Sequence, residues 1–383
     1  MDSLSPRPRN TALDALADLA PMIAAHRQAM DRDRRLPAPL YEALADAGLF
    51  RLWLPLTLGG PELSPVDFMD VVERASALDG TVGWLIGNGA GMSRIAGYLP
   101  EPVAREWFAD PRSFVVSATG AVGSAVPVPG GYKVTGRWPF GSGAHHADRF
   151  MGLCSIQDGD PQLRICCHVA RADVTVIDNW HVSGLRGSGS CDFEVREAFV
   201  PAEHVHEFFA PAPRQPGSLY RLPNICAFPW SIAGVPLGIA RAAIDCLAGI
   251  AMKKTRAGSS SPLAEREMAQ SKIGEAEALY GAARAFLCQA MGELMVAMDG
   301  PPEGFLLARG GLRLALAHAA DSSVAIVDSM ARLAGSAAIF ETFALERCVR
   351  DVHAAVKHVA MAPANYILYG RLRLGLDPGT NRF

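Results

Sequence analysis

The feature that most narrows what this chain can fold into is a double change of hydrophobic period. Over residues 11–111 apolar side chains recur at helical spacing, as in Leu13, Leu16, Leu19 and Ile23, then Leu40, Leu44 and Leu49. Over 113–209 the pattern breaks into short β-type runs at 114–116, 132–135, 150–155, 163–169, 174–177 and 193–200. Over 227–368 the helical period returns, with polar breaks at 256–262 and at Gly300-Pro301-Pro302. Helices, strands and helices again predict an α+β chain in three parts. These are an N-terminal helical domain over 1–112, a central antiparallel β domain over 113–218 and a C-terminal four-helix bundle over 219–383.

Local signals refine that outline. Ser64-Pro65-Val66-Asp67 has the form of a helix N-cap with proline at the first helical position. The helix expected from about Thr81 carries Gly83, Gly87, Gly89 and Gly91. Each glycine costs about 1 kcal/mol inside a helix, so the backbone is expected to approach something closely, a second helix first of all. Residues 226–252 are apolar, yet Pro229 and Pro236 interrupt them. Arg241 and Asp245 are spaced as a helix-surface pair, so the segment reads as a core helix and not a membrane span.

Several function classes fall away. A net charge of −3, with both signs mixed along the 383 residues, offers no basic stripe for nucleic acid. The 8 cysteines contain no CxxC pair and read as buried thiols of a reducing compartment. The first ten residues lack the apolar run of a signal peptide, so a cytoplasmic protein is expected. Neither GxxxxGK[ST] nor GxSxG occurs, and the glycines of Gly187-Ser188-Gly189 precede a strand where a dinucleotide fingerprint needs a helix.

Three places carry candidate chemistry. The turn over 136–148 passes Trp138, Phe140, Gly141, Ser142 and Gly143. Its backbone can approach a ligand, Ser142 offers a donor and an acceptor, and Phe140 could flank a planar ring. A glycine turn with a surface serine and a core aromatic is the alternative. Ser117 is expected to end the first strand and expose its hydroxyl. His145-His146 lacks a third ligand at zinc-type spacing, so no metal site is expected. Near the C-terminus, Asp351, Ala354, Ala355 and His358 would share one stripe if residues 350–358 were helical, with His353 on the same segment. A flat ligand could lie on the alanines with an imidazole at its edge. Helix packing with surface histidines is the alternative. Trp84, Met92, Cys226, Phe228 and Trp230 would line an apolar pocket or fill the core.

Taken in this order and spacing, the elements resemble the acyl-CoA dehydrogenase superfamily over nearly the whole chain. The match is carried by Phe140-Gly141-Ser142 and by Gly184-Leu185-Arg186-Gly187-Ser188 leading to Phe199-Val200-Pro201. A Tyr-Glu-Gly-Thr segment is replaced by Ala364-Asn365-Tyr366-Ile367-Leu368-Tyr369-Gly370, so the dehydrogenases' catalytic glutamate is missing. Arg350, Asp351, His353 and His358 instead reproduce the Arg-Asp-x-His-x-x-x-x-His pattern of the two-component flavin-dependent monooxygenases, the group D hydroxylases.

That resemblance implies an oxygenase fed with reduced flavin, FMNH2 or FADH2, by a separate NAD(P)H:flavin reductase. O2 would add at the flavin C4a carbon, and the C4a-hydroperoxyflavin would hydroxylate an aromatic or heteroaromatic substrate such as a phenol, an indole or a polyketide-like ring. His358 would stand at the flavin C4a and Ser142 at N5, with Asp351 orienting His358 and His353 beside them. Ser117, Trp138, Phe140 and Gly143 would contact flavin. Trp84, Met92, Ser117, Phe228 and Trp230 would face the substrate. Arg256 and Ser336 match positions that reach an adjacent subunit's flavin tail, which implies a homo-oligomer, a tetramer in most relatives. Two alternatives remain open at this point: an acyl-CoA dehydrogenase with a displaced base, Glu341 or Glu346, and a nitrogen- or sulfur-oxidising enzyme of the same fold.

Overall fold

Ser64 caps its helix as its sequence predicts. Its hydroxyl accepts from the Asp67 amide at 3.1 Å and donates to the Asp67 carboxylate at 2.8 Å, and the helix opens on Pro65. The computed structural model describes residues 8–253, 255, 261–380 and 382–383. Five helices come first: α1 (Pro8–Asp33), α2 (Ala38–Asp46), α3 (Pro65–Leu78), α4 (Gly80–Met92) and α5 (Glu101–Trp107). In α4 the glycines allow the expected close approach. A Cβ on Gly87 would fall 2.3 Å from the Ser231 carbonyl, and one on Gly91 would fall 2.7 Å from the Ser231 side chain.

Seven strands follow: β1 (Val115–Val128), β2 (Gly131–Gly141), β3 (Arg149–Ile156), β4 (Ile165–Ala170), β5 (Val174–Ile177), β6 (Cys191–Pro201) and β7 (Val205–Glu207). They form one sheet in the order β5-β6-β2-β1-β3-β4-β7. The sheet is mixed, which corrects the antiparallel expectation: β1 and β3 run parallel, Val115 opposite Arg149, while the other neighbours are antiparallel. The reason lies in the short connection 142–148, which carries the chain from β2 past the start of β1 to β1's other side. Asp148 pins that crossover, its carboxylate and amide bonding the Phe114 amide and carbonyl at 2.9 and 3.0 Å.

A second correction concerns Ser117, which lies within β1 opposite Met151 and does not end the strand. The run after it, with its glycines and small residues, reads as a connection but continues the ladder across an irregularity between Ala118 and Gly123. Trp138 is the centre of the sheet's packing. It is fully buried, donates to the Leu153 carbonyl at 2.9 Å and stacks on Phe193.

The remaining helices are α6 (Ser218–Arg221), α7 (Asn224–Ser231), α8 (Gly234–Ala251), α9 (Glu267–Ala297), α10 (Pro302–Ala334), α11 (Ala344–Ala355) and α12 (Ala364–Arg373). The apolar run Asn224–Ala251 is long enough to cross a membrane, but 67% of its most apolar window is buried. Arg241 pairs with Asp245 at 2.9 Å, as its spacing predicts, and with Glu277 of α9 at 2.7 Å. The chain divides into two compact units. One holds residues 1–71, 84–182 and 186–232, hence the sheet. The other holds 72–83, 183–185 and 233–383, hence the long helices α8 to α10.

Within the sheet-bearing unit, His168 of β4 and His206 of β7 lie with ring centroids 5.2 Å apart, and Trp107 is 5.5 Å from His168. Among the described residues neither ring nitrogen of the buried His168 has a hydrogen-bond partner, and Nε2 of His206 has none. Burial holds His168 well below the usual imidazole range and pushes His206 down to about 4. His206 and Arg149 depress His168 further, and Arg94 opposes a proton on His206. The folded protein therefore keeps both neutral, while the unfolded chain takes up protons below about pH 6.5. Stability should be full above that pH and fall as pH drops toward 4. Replacing His168 with phenylalanine should flatten this loss by up to about 1.4 kcal/mol per pH unit, read from thermal melts between pH 7 and 4.5.

Candidate active site

In the sheet-bearing unit the crossover after β2 delivers Ser142 into a line of hydroxyls. Trp84 of α4 donates its indole N–H to Ser142 Oγ at 2.9 Å. Ser142 Oγ lies 2.8 Å from Ser190 Oγ, which lies 2.7 Å from Ser188 Oγ. The turn 186–190 is stitched to the crossover by the Gly143 amide donating to the Ser188 carbonyl at 2.8 Å. Ser142, Ser188 and Ser190 are buried, while Trp84 is partly open to solvent. Gly143 has φ +82°, and a Cβ there would fall 2.6 Å from the Phe114 ring, so only glycine fits. Phe140, two residues before Ser142, is 66% exposed and meets Trp180 edge-on at 6.3 Å. Its φ of +66° is an unusual conformation for a bulky residue, of the kind found at functional sites.

The surroundings sort the other expected contacts. Trp138, expected at the flavin, is core: its ring fills the sheet interior and has no exposed edge. Trp230, expected at the substrate, is likewise core, fully buried with its N–H donating to the Pro65 carbonyl at 2.7 Å. Met92 is 2% exposed and packs among Leu99, Trp107, Met151 and Phe208. Phe228 lies at the edge of that cluster, partly buried, and Ser117 is partly exposed on β1. His146 stacks on Tyr41 at 4.2 Å, and His145 Nε2 lies 3.6 Å from Cys191 Sγ.

In the helical unit α11 ends at Ala355, and His358 lies beyond it in extended conformation, φ −63° and ψ 136°. This corrects the expected stripe, because Asp351 and His358 do not share one helix. His358 caps the next turn instead, its Nδ1 accepting from the Ala360 amide at 3.2 Å. A ring nitrogen that accepts carries no proton, so the proton sits on Nε2. Removal from water, with Arg313 nearby, pushes His358 down to about 4, so the ring is neutral around pH 7.

Asp351 does not orient His358 through a stripe, which is a further correction. It is buried on α11, accepts from the Leu185 amide at 2.7 Å and lies 3.7 Å from Arg347, which pairs with the buried Asp79 at 2.8 Å. Burial, together with Asp79, raises its pKa, and Arg347 opposes the rise. A Cβ on Gly184 would fall 2.0 Å from the Arg350 carbonyl, so Gly184 is required for the turn to seat on α11. His353, expected beside the reacting centre, holds Asp328 at 3.0 Å. Ser336 is exposed in the turn Gly335–Ile339, and Arg256 lies outside the described residues. Of the alternative bases, Glu346 binds Arg350 at 2.7 Å and Glu341 is exposed.

Sequence reasoning missed Ser188, Ser190 and Arg347. The first two stand in a run noted for its glycines and for the family resemblance it carries, with no role given to its serines. Spacing gives no sign that Ser190 returns to a crossover serine 48 residues upstream of it.

The acyl-CoA dehydrogenase N-terminal domain family matches residues 14–110, and the acyl-CoA dehydrogenase C-terminal domain family matches 230–363. The chain is 30% identical over 392 aligned residues to the flavin-dependent monooxygenase, oxygenase subunit HsaA, of Mycobacterium tuberculosis, covering 99% of each chain. It is 29% identical over 355 residues to the indole-3-acetate monooxygenase of Pseudomonas putida, covering 91% of this chain and 90% of that one. XiaF from Streptomyces sp., solved in complex with FADH2 and glycerol, superposes with TM-score 0.88 at 26% identity, covering 97% of both chains. With these relatives spanning its length, the chain belongs to the flavin-dependent monooxygenase oxygenase subunits of acyl-CoA dehydrogenase fold.

Proposed function

We propose that this enzyme takes reduced FMN or FAD from a separate NAD(P)H:flavin reductase and hydroxylates a small aromatic or heteroaromatic substrate. When bound, the reduced flavin supplies the two electrons that let one atom of O2 enter a C–H bond while the other leaves as water. The observation that carries this reading is His358, a neutral imidazole whose proton is fixed on Nε2 by the bond at Nδ1. With Nδ1 engaged and its pKa near 4, such a group offers an N–H donor to a polarised oxygen and is a poor base for a carbon-bound proton.

The residues around Ser142 fit a flavin edge. A hydroxyl with one hydrogen-bonding position left beyond Trp84 and Ser190 suits N5, while Phe140 and Trp84 offer aromatic surface. Ser117 and Phe228 are proposed at the substrate, and Ser117 and Gly143 along the flavin. Replacing Ser142 with alanine removes its bonds to Trp84 and Ser190 and the one proposed to N5, the last alone about 1 kcal/mol or more in a dry site. It should lower product formed per reduced flavin consumed by roughly tenfold, with H2O2 making up the difference in a peroxidase-coupled assay.

The helical unit leaves Met268, Val296, Ile339, Phe340, Val359 and Ile367 exposed. Surface of that kind supports association with further copies, a homotetramer, with the exposed Ser336 near a neighbouring subunit's flavin. Light scattering checks this. The enzyme is proposed to work in the cytoplasm, where its cysteines stay free thiols.

The test of the activity is incubation with a generic flavin reductase, NADH, FMN or FAD, and a panel of phenols, indoles and polycyclic aromatics. A gain of one oxygen by mass, dependent on the reductase, is expected. Oxygen-independent desaturation of an acyl thioester would overturn the reading.

A further inference from the structure

Ser142, Ser190 and Ser188 form a buried chain with one fixed end. The indole of Trp84 can only donate, so one acceptor position of Ser142 Oγ is always filled. Ser142 then has two positions left, its own proton and one lone pair, to divide between Ser190 and the ligand side. If Ser142 donates to Ser190, it presents a lone pair outward. If Ser190 donates to Ser142, it presents its proton outward. Among the described residues both serine–serine contacts, at 2.8 and 2.7 Å, allow either sense.

The two senses match the two redox states of a flavin. Reduced flavin carries a proton on N5 and asks for an acceptor, whereas oxidised flavin has a bare N5 and asks for a donor. We propose that Ser190 is a positioning residue that accepts a hydrogen bond from the Ser142 O–H, so that Ser142 turns a lone pair to N5–H and the site favours the reduced state of the flavin. Ser188 continues the chain by accepting from Ser190. This rests on the reading that Ser142 faces N5, and it assigns the serines of the 186–190 run a role toward the cofactor.

With Ser190 replaced by alanine, Ser142 has no acceptor for its proton within the chain. Presenting a lone pair outward then leaves a buried O–H unpaired, a loss of about 1–3 kcal/mol. Binding of oxidised flavin uses the other sense, in which the Ser142 O–H is satisfied by N5 and only a lone pair loses the Ser190 donor, a smaller cost than an unpaired O–H.

The experiment measures Kd for oxidised and for dithionite-reduced FMN and FAD, anaerobically, by fluorescence, with no substrate or turnover involved. Ser190→Ala should weaken reduced-flavin binding roughly 5- to 100-fold while oxidised-flavin binding stays within about threefold. Ser188→Ala, one link further away, should move the ratio the same way by less. Ser190→Thr, which keeps the hydroxyl, should restore the wild-type ratio and guards against a folding effect of the alanine. Ser142→Ala separates the two layers of the argument. If it leaves the ratio of the two Kd values unmoved, the N5 reading fails. If Ser142→Ala moves the ratio and Ser190→Ala does not, Ser142 faces N5 but the positioning role of Ser190 is overturned.

Discussion

His358→Ala should fold and bind reduced flavin, yet divert turnover from hydroxylated product to H2O2 by on the order of 10²-fold or more. His358 follows the end of α11, so its ring position is set by the cap bond to Ala360 and not by helix geometry. That bond places the proton on Nε2, and the pKa near 4 keeps the ring neutral through the working range. Two consequences distinguish this role from a structural one. Losing the cap alone costs about 1 kcal/mol, and His358→Asn, which can still accept from Ala360, should recover that stability without recovering product. The group also titrates only near pH 4, so product per flavin consumed should show no step from this imidazole between pH 5 and 8. Wild-type coupling in His358→Ala would remove the residue from the chemistry.

Arg347→Met should be the most destabilising single change in the helical unit, by about 3–5 kcal/mol. Arg347 lies between Asp79 at 2.8 Å and Asp351 at 3.7 Å, and both carboxylates are buried. Without the guanidinium the two acids face each other, and one must take a proton or draw in water. The apparent Tm should fall by on the order of 5–10 °C at pH 7. It should recover in part as pH is lowered, because Asp351, already pushed up by burial, then protonates more readily. Adding Asp79→Asn and Asp351→Asn to Arg347→Met removes the uncompensated charge and should return most of the loss, while the amide oxygen introduced by Asp351→Asn can still accept from the Leu185 N–H. A triple variant no more stable than the single one would show that the ion pairs are not what holds this region.

The element order was legible because it depends on period, and period survives in a single sequence. Each of the six expected strands overlaps one of β1 to β6, the Ser64 cap formed, and the glycines of α4 met close neighbours. What escaped depended on the third dimension. The parallel pairing of β1 with β3 follows from a short crossover that reads as an ordinary turn. The extension of β1 past Ser117 is built from small residues with weak alternation. For the site, Ser142 and His358 stood out by residue type and neighbours. Trp138, Trp230 and Met92 did not separate from the core, since an aromatic or thioether beside a cleft and one beneath it have the same sequence signature. Asp351 misled for another reason: a helical stripe needs the helix to continue, and α11 stops three residues short of His358.

One feature of the sheet links distant parts of the gene. Gly123 of β1, Gly136 of β2 and Gly152 of β3 all abut the Trp138 indole, and a Cβ on any of them would come within 2.3 to 2.6 Å of the ring. Four positions spread over 30 residues are therefore sterically tied: no glycine can be exchanged while the indole stays. A smaller residue at 138 would open room for a side chain at 152, whereas a Cβ at 123 would still lie 2.9 Å from the Thr135 carbonyl and one at 136 would lie 3.0 Å from the Gly123 Cα, so relatives with a small residue at 138 should lose the glycine at 152 first.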